Sequence, residues 1–186
     1  MKAFTFVTSN QLKLAAAEAA CKPYSISFDH SSVDFIEIQQ YDGEVIARDK
    51  AEQAYKLIGQ PVVITDDSWL IPGLGGFPGP YMRQINHWLT TDNLLDLTRK
   101  LTDRTIILRQ VIVYQDSGGQ QVFSSDIPGV LLDEARGDCP IMHFKLISFD
   151  DGQNSAAEIV EQGKPVIEHL PNGWHKLCQW LTTNNT

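Results

Sequence analysis

Short apolar runs broken by polar turns fill the first 65 residues, and the length of each run separates strands from helices. Ala3 to Thr8 is β-branched and aromatic without clear alternation, the pattern of a buried strand. Ser9 or Asn10 offers a helix cap, and Gln11 to Cys21 is rich in Leu and Ala, so a helix is expected there, stopped by Pro23. Tyr24 to Phe28 and Val33 to Ile38 read as two further strands. Asp42-Gly43 marks a turn. Ala47, Ala51, Ala54, Tyr55 and Ile58 then recur at helical spacing within Val45 to Ile58, and Gly59 and Pro61 close that helix. Pro61 to Thr65 is a short apolar strand that runs straight into Asp66-Asp67-Ser68.

The later half mixes the same two patterns. Gly73 to Pro80 is a glycine- and proline-rich loop, and Asp92 to Leu101 carries spaced Leu residues behind a capping Thr, a helix. Thr105 to Tyr114 and Gln120 to Ser125 flank Asp116-Ser117-Gly118-Gly119, a hairpin signal. Ile141 to Phe149 reads as a strand, and Ser155 to Glu161 and Asn172 to Thr183 as helices. No repeat, low-complexity segment or linker interrupts the chain. The pattern predicts a single α/β (α+β) domain over residues 1–186, with a long mixed sheet. A ligand cleft is expected where the first strand and the Ile64 strand end.

Composition narrows the partners. The 186 residues carry 15 basic and 23 acidic side chains, net charge −8, which excludes a generic nucleic-acid surface because a phosphate backbone demands a basic footprint. A small polyanion is still possible where Lys, backbone N–H groups and a divalent cation gather locally. No apolar run approaches the roughly 20 residues needed to cross a bilayer, and no signal-peptide core is present, so a cytoplasmic protein is expected. Cys21, Cys139 and Cys178 lack metal-ligand spacing and read as reduced thiols.

Four groups of residues could carry chemistry. Thr8-Ser9-Asn10 with Lys13 sits where a strand ends and a helix begins; its free N–H groups and one ammonium suit an anion, although a capped helix with a solvated Lys explains the same residues. Asp66-Asp67-Ser68 places two carboxylates side by side, a repulsion that a Mg²⁺ ion relieves, or else a turn with a solvated second Asp. Glu37 is the one acid in the apolar stretch Phe35 to Ile38 and matters only if it reaches the Asp pair. Lys50 lies beside the apolar stripe of its helix, able either to snorkel or to point into a phosphate site. Lys164 and His169 follow in a polar segment.

The order of these pieces resembles the inosine-triphosphate pyrophosphatase family: Thr8-Ser9-Asn10 with Lys13, Glu37, Lys50-Ala51, Asp66-Asp67-Ser68, then Gly75-Gly76-Phe77-Pro78-Gly79-Pro80-Tyr81. The match covers residues 3–83. A weaker one continues through Ala135-Arg136-Gly137, Ser155-Ala156-Ala157-Glu158, Lys164 and His169. The resemblance implies an elongated mixed β-sheet flanked by helices, two lobes with a central cleft, a homodimer, and Mg²⁺-dependent hydrolysis of a nucleoside triphosphate to the monophosphate and pyrophosphate. Its substrates would be deaminated purine nucleotides such as ITP, XTP and dITP. It implies Asp67 and Asp66 as catalytic residues and Glu37 and Asp67 as Mg²⁺ ligands. Thr8, Ser9, Asn10, Lys13, Lys50, Ser68, Lys164 and His169 would be substrate contacts.

Two segments depart from the family. Asp138-Cys139-Pro140-Ile141-Met142-His143 stands where relatives carry Phe-Gly-aromatic-Asp-Pro, and Glu168-His169-Leu170 where they carry Ser-His-Arg. Both family segments contact the base, so the phosphate and metal residues are present while base reading is altered. Two alternatives follow: a catalytically impaired nucleotide-binding protein of the same fold, or a shifted substrate, a pyrimidine nucleotide or nucleotide sugar, read by Met142 and His143.

Overall fold

The computed structural model describes residues 3–167, 170 and 172–184. Strand β1 (Thr5–Val7) is buried along its length and pairs in parallel with β2 (Asp29–Ser31) on one side and β3 (Val62–Leu70) on the other. β3 also pairs antiparallel with the two-residue β4 (Pro78–Gly79). The hairpin of β5 (Thr105–Asp116) and β6 (Gly119–Leu131) follows, and β6 pairs antiparallel with β7 (Ile147–Ser148). The sheet is therefore mixed, with order β2-β1-β3-β5-β6-β7 and β4 attached to β3. The helices are α1 (Gln11–Cys21), α2 (Gly43–Ile58), α3 (Met82–Trp88), α4 (Thr91–Thr98), α5 (Ala156–Glu161) and α6 (Gly173–Asn184).

The chain divides into two compact units, in line with the two lobes expected. One holds the described residues of 1–67, 110–125 and 171–186; the other holds those of 68–109 and 126–170. In the first unit, strand alternation sorts side chains between two helical layers. Phe4, Phe6 and Val63 pack with Ala17, Ala20 and Cys21 of α1 and with Trp174, Leu177 and Cys178 of α6. Val7, Val62 and Ile64 pack with Ala47, Ala51 and Ala54 of α2. Helices cover both faces, which is why Val62-Val63-Ile64 is an unbroken apolar run. The thiols of Cys21 and Cys178 meet at 3.7 Å between α1 and α6, and all three cysteines are free and buried.

The second unit has its own core of Trp69, Ile71, Met82, Ile85, Ile106, Leu108, Ile127, Leu131 and Ile147. Among the described residues, no helix is long and apolar enough to cross a membrane.

Several expectations are corrected. Residues 24–28 form no strand: Lys22–Tyr24 is a 3-10 turn that Ser25 ends at φ 54°, and the strand begins only at Asp29. Residues 33–38 also form no strand. Val33 and Phe35 pack against the α2 core while Ile36 is 87% exposed, so alternation there marks a segment lying along one side of the core without a ladder partner. Ile141 to Phe149 is mostly the 3-10 turn Met142–Leu146, in which His143 and Leu146 are buried three residues apart, the repeat of that turn. The glycine-rich loop contains the 3-10 turn Pro72–Leu74 and β4, with Gly75, Gly76 and Gly79 at φ 65°, 91° and 62°, values that favour glycine. α3, absent from the sequence reading, follows that loop and buries Met82 and Ile85. Asp66-Asp67-Ser68 lies within β3, which continues to Leu70.

Candidate active site

Strand β1 hands the chain to α1 through a capped turn. Asn10 has extended backbone, φ −88° and ψ 113°, and its Oδ1 accepts the N–H groups of Leu12 at 2.9 Å and Lys13 at 3.3 Å. Thr8 Oγ1 accepts the Asn10 N–H at 3.1 Å. Lys13, in the first turn, carries the charge: its ammonium lies 3.0 Å from Asp67 Oδ2 and donates to the Thr65 carbonyl at 3.4 Å. Both acceptors follow from alternation, since Thr65 and Asp67 continue the Val63 face of β3 that α1 covers.

Asp66 faces the α2 layer. Lys50, four residues after Ile46 and one before Ala51, sits at the border of the buried stripe of α2 and reaches back to the sheet. Its ammonium lies 3.0 Å from Asp66 Oδ2 and 2.8 Å from Glu37 Oε1. Glu37 comes from the irregular segment before α2, which Gln53 helps hold by donating to the Ile36 carbonyl at 3.2 Å. The first unit thus gathers two linked sets, Lys13 with Asp67 and Lys50 with Asp66 and Glu37.

The electrostatics tie the two sets together. Burial pushes the Asp66 carboxyl above its ordinary value; Lys13 and Lys50 pull it down and Asp67 pushes it up again. Lys13 therefore acts on both acids although its ion pair is with Asp67. Burial pulls Lys50 down, but Asp66 and Glu37 together outweigh it and its value is raised. Lys50 is held as a cation.

The donor set of Glu37, Asp66 and Asp67 is all carboxylate oxygen, the chemistry of a hard divalent cation. Asp67 Oδ1 and Thr65 Oγ1 are buried without a hydrogen-bond partner, so one carboxylate oxygen at this point is free to accept. The residues fit such an ion, although the expected pair of ligands, Glu37 and Asp67, is held by different lysines. Among the described residues, no three His, Cys, Asp or Glu side chains form a ready-made cage.

The other expected site residues are spread more widely. Ser9 is exposed beside Asn10. Ser68 is buried in β3 and belongs to the second unit. Lys164 also belongs to that unit, exposed, with its ammonium on Gln162 Oε1 at 2.8 Å. His169 lies outside the described residues. His143 is corrected to a core residue: its Nδ1 meets Asn86 at about 3 Å, and its ring packs against Trp69 and Phe144 at 4.8 and 4.9 Å. Burial pushes it down to about 3. Thr65 and Gln53 were missed. Period two from Asp67 would have found Thr65, and the i+3 step from Lys50 would have found Gln53.

The chain matches the Ham1 family model over residues 4–180. It belongs to the Ham1 family. Among its relatives is a protein named dITP/XTP pyrophosphatase from Hyperthermus butylicus, 27% identical over 174 residues, covering 94% of this chain and 92% of the relative. A second of that name, from Pyrobaculum aerophilum, is 29% identical over 178 residues, covering 96% and 95%. A solved HAM1 protein structure from Coxiella burnetii shares the fold, with a TM-score of 0.82 at 22% identity, covering 98% of this chain and 100% of that one. In this Ham1 protein the Ala135-Arg136-Gly137 motif is a clamp within the second unit. Arg136 donates to the carbonyls of Gly152 at 2.7 Å and Gln153 at 3.3 Å, and the Ser155 hydroxyl donates to the Arg136 carbonyl at 2.9 Å.

Proposed function

We propose that this Ham1-family protein hydrolyses nucleoside triphosphates to the monophosphate and pyrophosphate, with deaminated purine nucleotides of the ITP, XTP and dITP kind as substrates. The observation that carries this reading is the convergence of Lys13 with Asp67, and of Lys50 with Asp66 and Glu37, beside the N-terminus of α1. The names of the relatives, which align over nearly the whole chain, support the same chemistry. The family match spans both units, which supports reading the chain as one pyrophosphatase domain.

In this reading Thr8, Ser9, Asn10 and Lys13 cradle the phosphates, where unpaired N–H groups and the helix dipole favour an anion. Lys50 and Lys164 add positive charge, and Ser68 and His169 contact the substrate. Asp67 orients the attacking water and takes its proton. Asp66 keeps Lys50 charged and in place. Glu37 and Asp67 hold Mg²⁺, which when bound polarises the α-phosphate and offsets charge on the leaving pyrophosphate. The same reading carries a cytoplasmic location and a homodimer, and light scattering of the purified protein measures the dimer directly.

The deciding experiment is pyrophosphate release with Mg²⁺ from ATP, GTP, CTP and UTP against ITP, XTP and dITP, repeated with a chelator. Selective turnover of the deaminated purines, lost on chelation and restored by Mg²⁺, is expected. No release from any nucleotide overturns the reading, and nucleotide binding without release identifies an impaired enzyme.

A further inference from the structure

One contact on the phosphate loop comes from a residue to which the pyrophosphatase reading gives no role. His30, exposed on the edge strand β2, places Nε2 2.8 Å from the Thr8 carbonyl oxygen. A carbonyl can only accept, so Nε2 carries the proton and donates. The Thr8 N–H donates in turn to the Ser31 carbonyl at 2.9 Å, so β2 grips Thr8 from both of its backbone groups.

Peptide geometry carries that grip into the loop. In a trans peptide the C=O and the following N–H point in opposite directions. Holding the Thr8 carbonyl toward His30 therefore holds the Ser9 N–H away from it. Among the described residues the Ser9 N–H has no hydrogen-bond acceptor. The next link is also fixed, since Thr8 Oγ1 accepts the Asn10 N–H, and Asn10 caps the helix that bears Lys13. His30 itself joins none of the buried core clusters.

We propose that His30 is a positioning residue of the triphosphate cradle: it fixes the Thr8–Ser9 peptide so that the Ser9 amide is presented, unpaired, to a phosphate oxygen. This rests on the pyrophosphatase reading and adds to it a residue that acts on substrate only through the backbone. The side chain needed at position 30 is a donor of the right reach, not an imidazole as such. Gln offers an N–H close to the place of Nε2, and Leu offers none.

The test compares His30→Leu and His30→Gln. His30→Leu raises KM for the preferred nucleotide about three- to ten-fold, the loss of one modest hydrogen bond. It leaves kcat within about twofold, and His30→Gln recovers most of the change. Calorimetry with inorganic triphosphate, which needs no turnover, shows the same loss of affinity and the same recovery. Both variants melt with the wild-type protein. Unchanged KM and triphosphate affinity in His30→Leu overturns the proposal, as does a His30→Gln variant no better than His30→Leu. If the wild-type protein releases no pyrophosphate from any nucleotide, the pyrophosphatase reading falls by itself and the triphosphate titrations still decide the role of His30. A wild-type protein that releases no pyrophosphate and binds no triphosphate removes both.

Discussion

Asp66 and Asp67 are consecutive on β3, yet each answers to a different helix: Asp66 Oδ2 lies 3.0 Å from Lys50 of α2, and Asp67 Oδ2 lies 3.0 Å from Lys13 of α1. Strand alternation sends the two side chains to opposite faces, and each face is roofed by a helix with a lysine in reach. Repulsion between the neighbours is thus relieved by two counter-ions rather than by displacement of one acid. The arrangement also separates roles. Asp66 is the more enclosed and is locked to a buried cation, while Asp67 keeps one oxygen without a partner.

Asp67→Asn therefore tests chemistry with little cost to the fold. The amide keeps the shape and loses the charge that orients water and holds a cation. A fall in kcat of at least about 10²-fold is expected, with melting temperature nearly unchanged. Pyrophosphate release and circular dichroism on the same preparation check both halves. A variant that retains wild-type kcat removes Asp67 from the reaction.

Lys50→Met tests stability. The Lys50 and Asp66 side chains are only 16% and 12% exposed, so removing the ammonium leaves a carboxylate enclosed with one fewer counter-ion. A loss of about 2–4 kcal/mol is expected, toward the lower end of values for buried pairs because Lys13 still acts on Asp66. The double variant Lys50→Met with Asp66→Leu recovers most of it, since the enclosed carboxylate is gone and the Glu37 side chain that loses Lys50 is 42% exposed and reaches water. Denaturant unfolding of the three proteins measures this, and a single variant as stable as the wild type refutes it.

The first unit was largely legible because its signals are local. An unbroken apolar strand, an Asn cap and alanines at helical spacing each follow from short-range pattern, and Lys50 beside the stripe is where a lysine must lie to reach the sheet. Glu37 was found, but its setting was misread. Alternation in Val33 to Ile38 reports one apolar side and cannot say whether a neighbouring strand exists to accept the backbone hydrogen bonds. Ile141 to Phe149 failed for a related reason: a buried residue every third position and one every second position look alike over a few residues. His143 offers itself in the sequence, with Met142, as a base-reading residue because a sequence does not show Asn86 and Trp69 closing around it.

Gly137→Ala probes the clamp around Arg136. Gly137 has φ +81°, and a Cβ there would come within 2.9 Å of both the Ala157 side chain and the Glu158 backbone nitrogen. Strain and clash act together, and backbone atoms cannot yield as a side-chain tip would. A loss of more than about 2 kcal/mol is expected. Thermal unfolding measures it, and a variant melting with the wild type would show that residues 137 and 157 separate without penalty.

His143 gives the fold an acid limb. Burial pushes its value down to about 3, whereas the unfolded chain titrates near the ordinary 6.5. Between those values the unfolded chain binds a proton that the folded chain excludes, so stability falls as pH falls, by about 1.4 kcal/mol per unit from this group. His143→Gln keeps an amide partner for Asn86 and removes the titration. It is expected to be less stable than wild type at pH 7, where an aromatic ring is lost from beside Trp69 and Phe144, yet to lose less on going from pH 7 to pH 5. Denaturant unfolding at pH 7, 6 and 5 gives both slopes. Parallel slopes would mean that His143 gains its proton without leaving the core, and the buried neutral imidazole described here would be wrong.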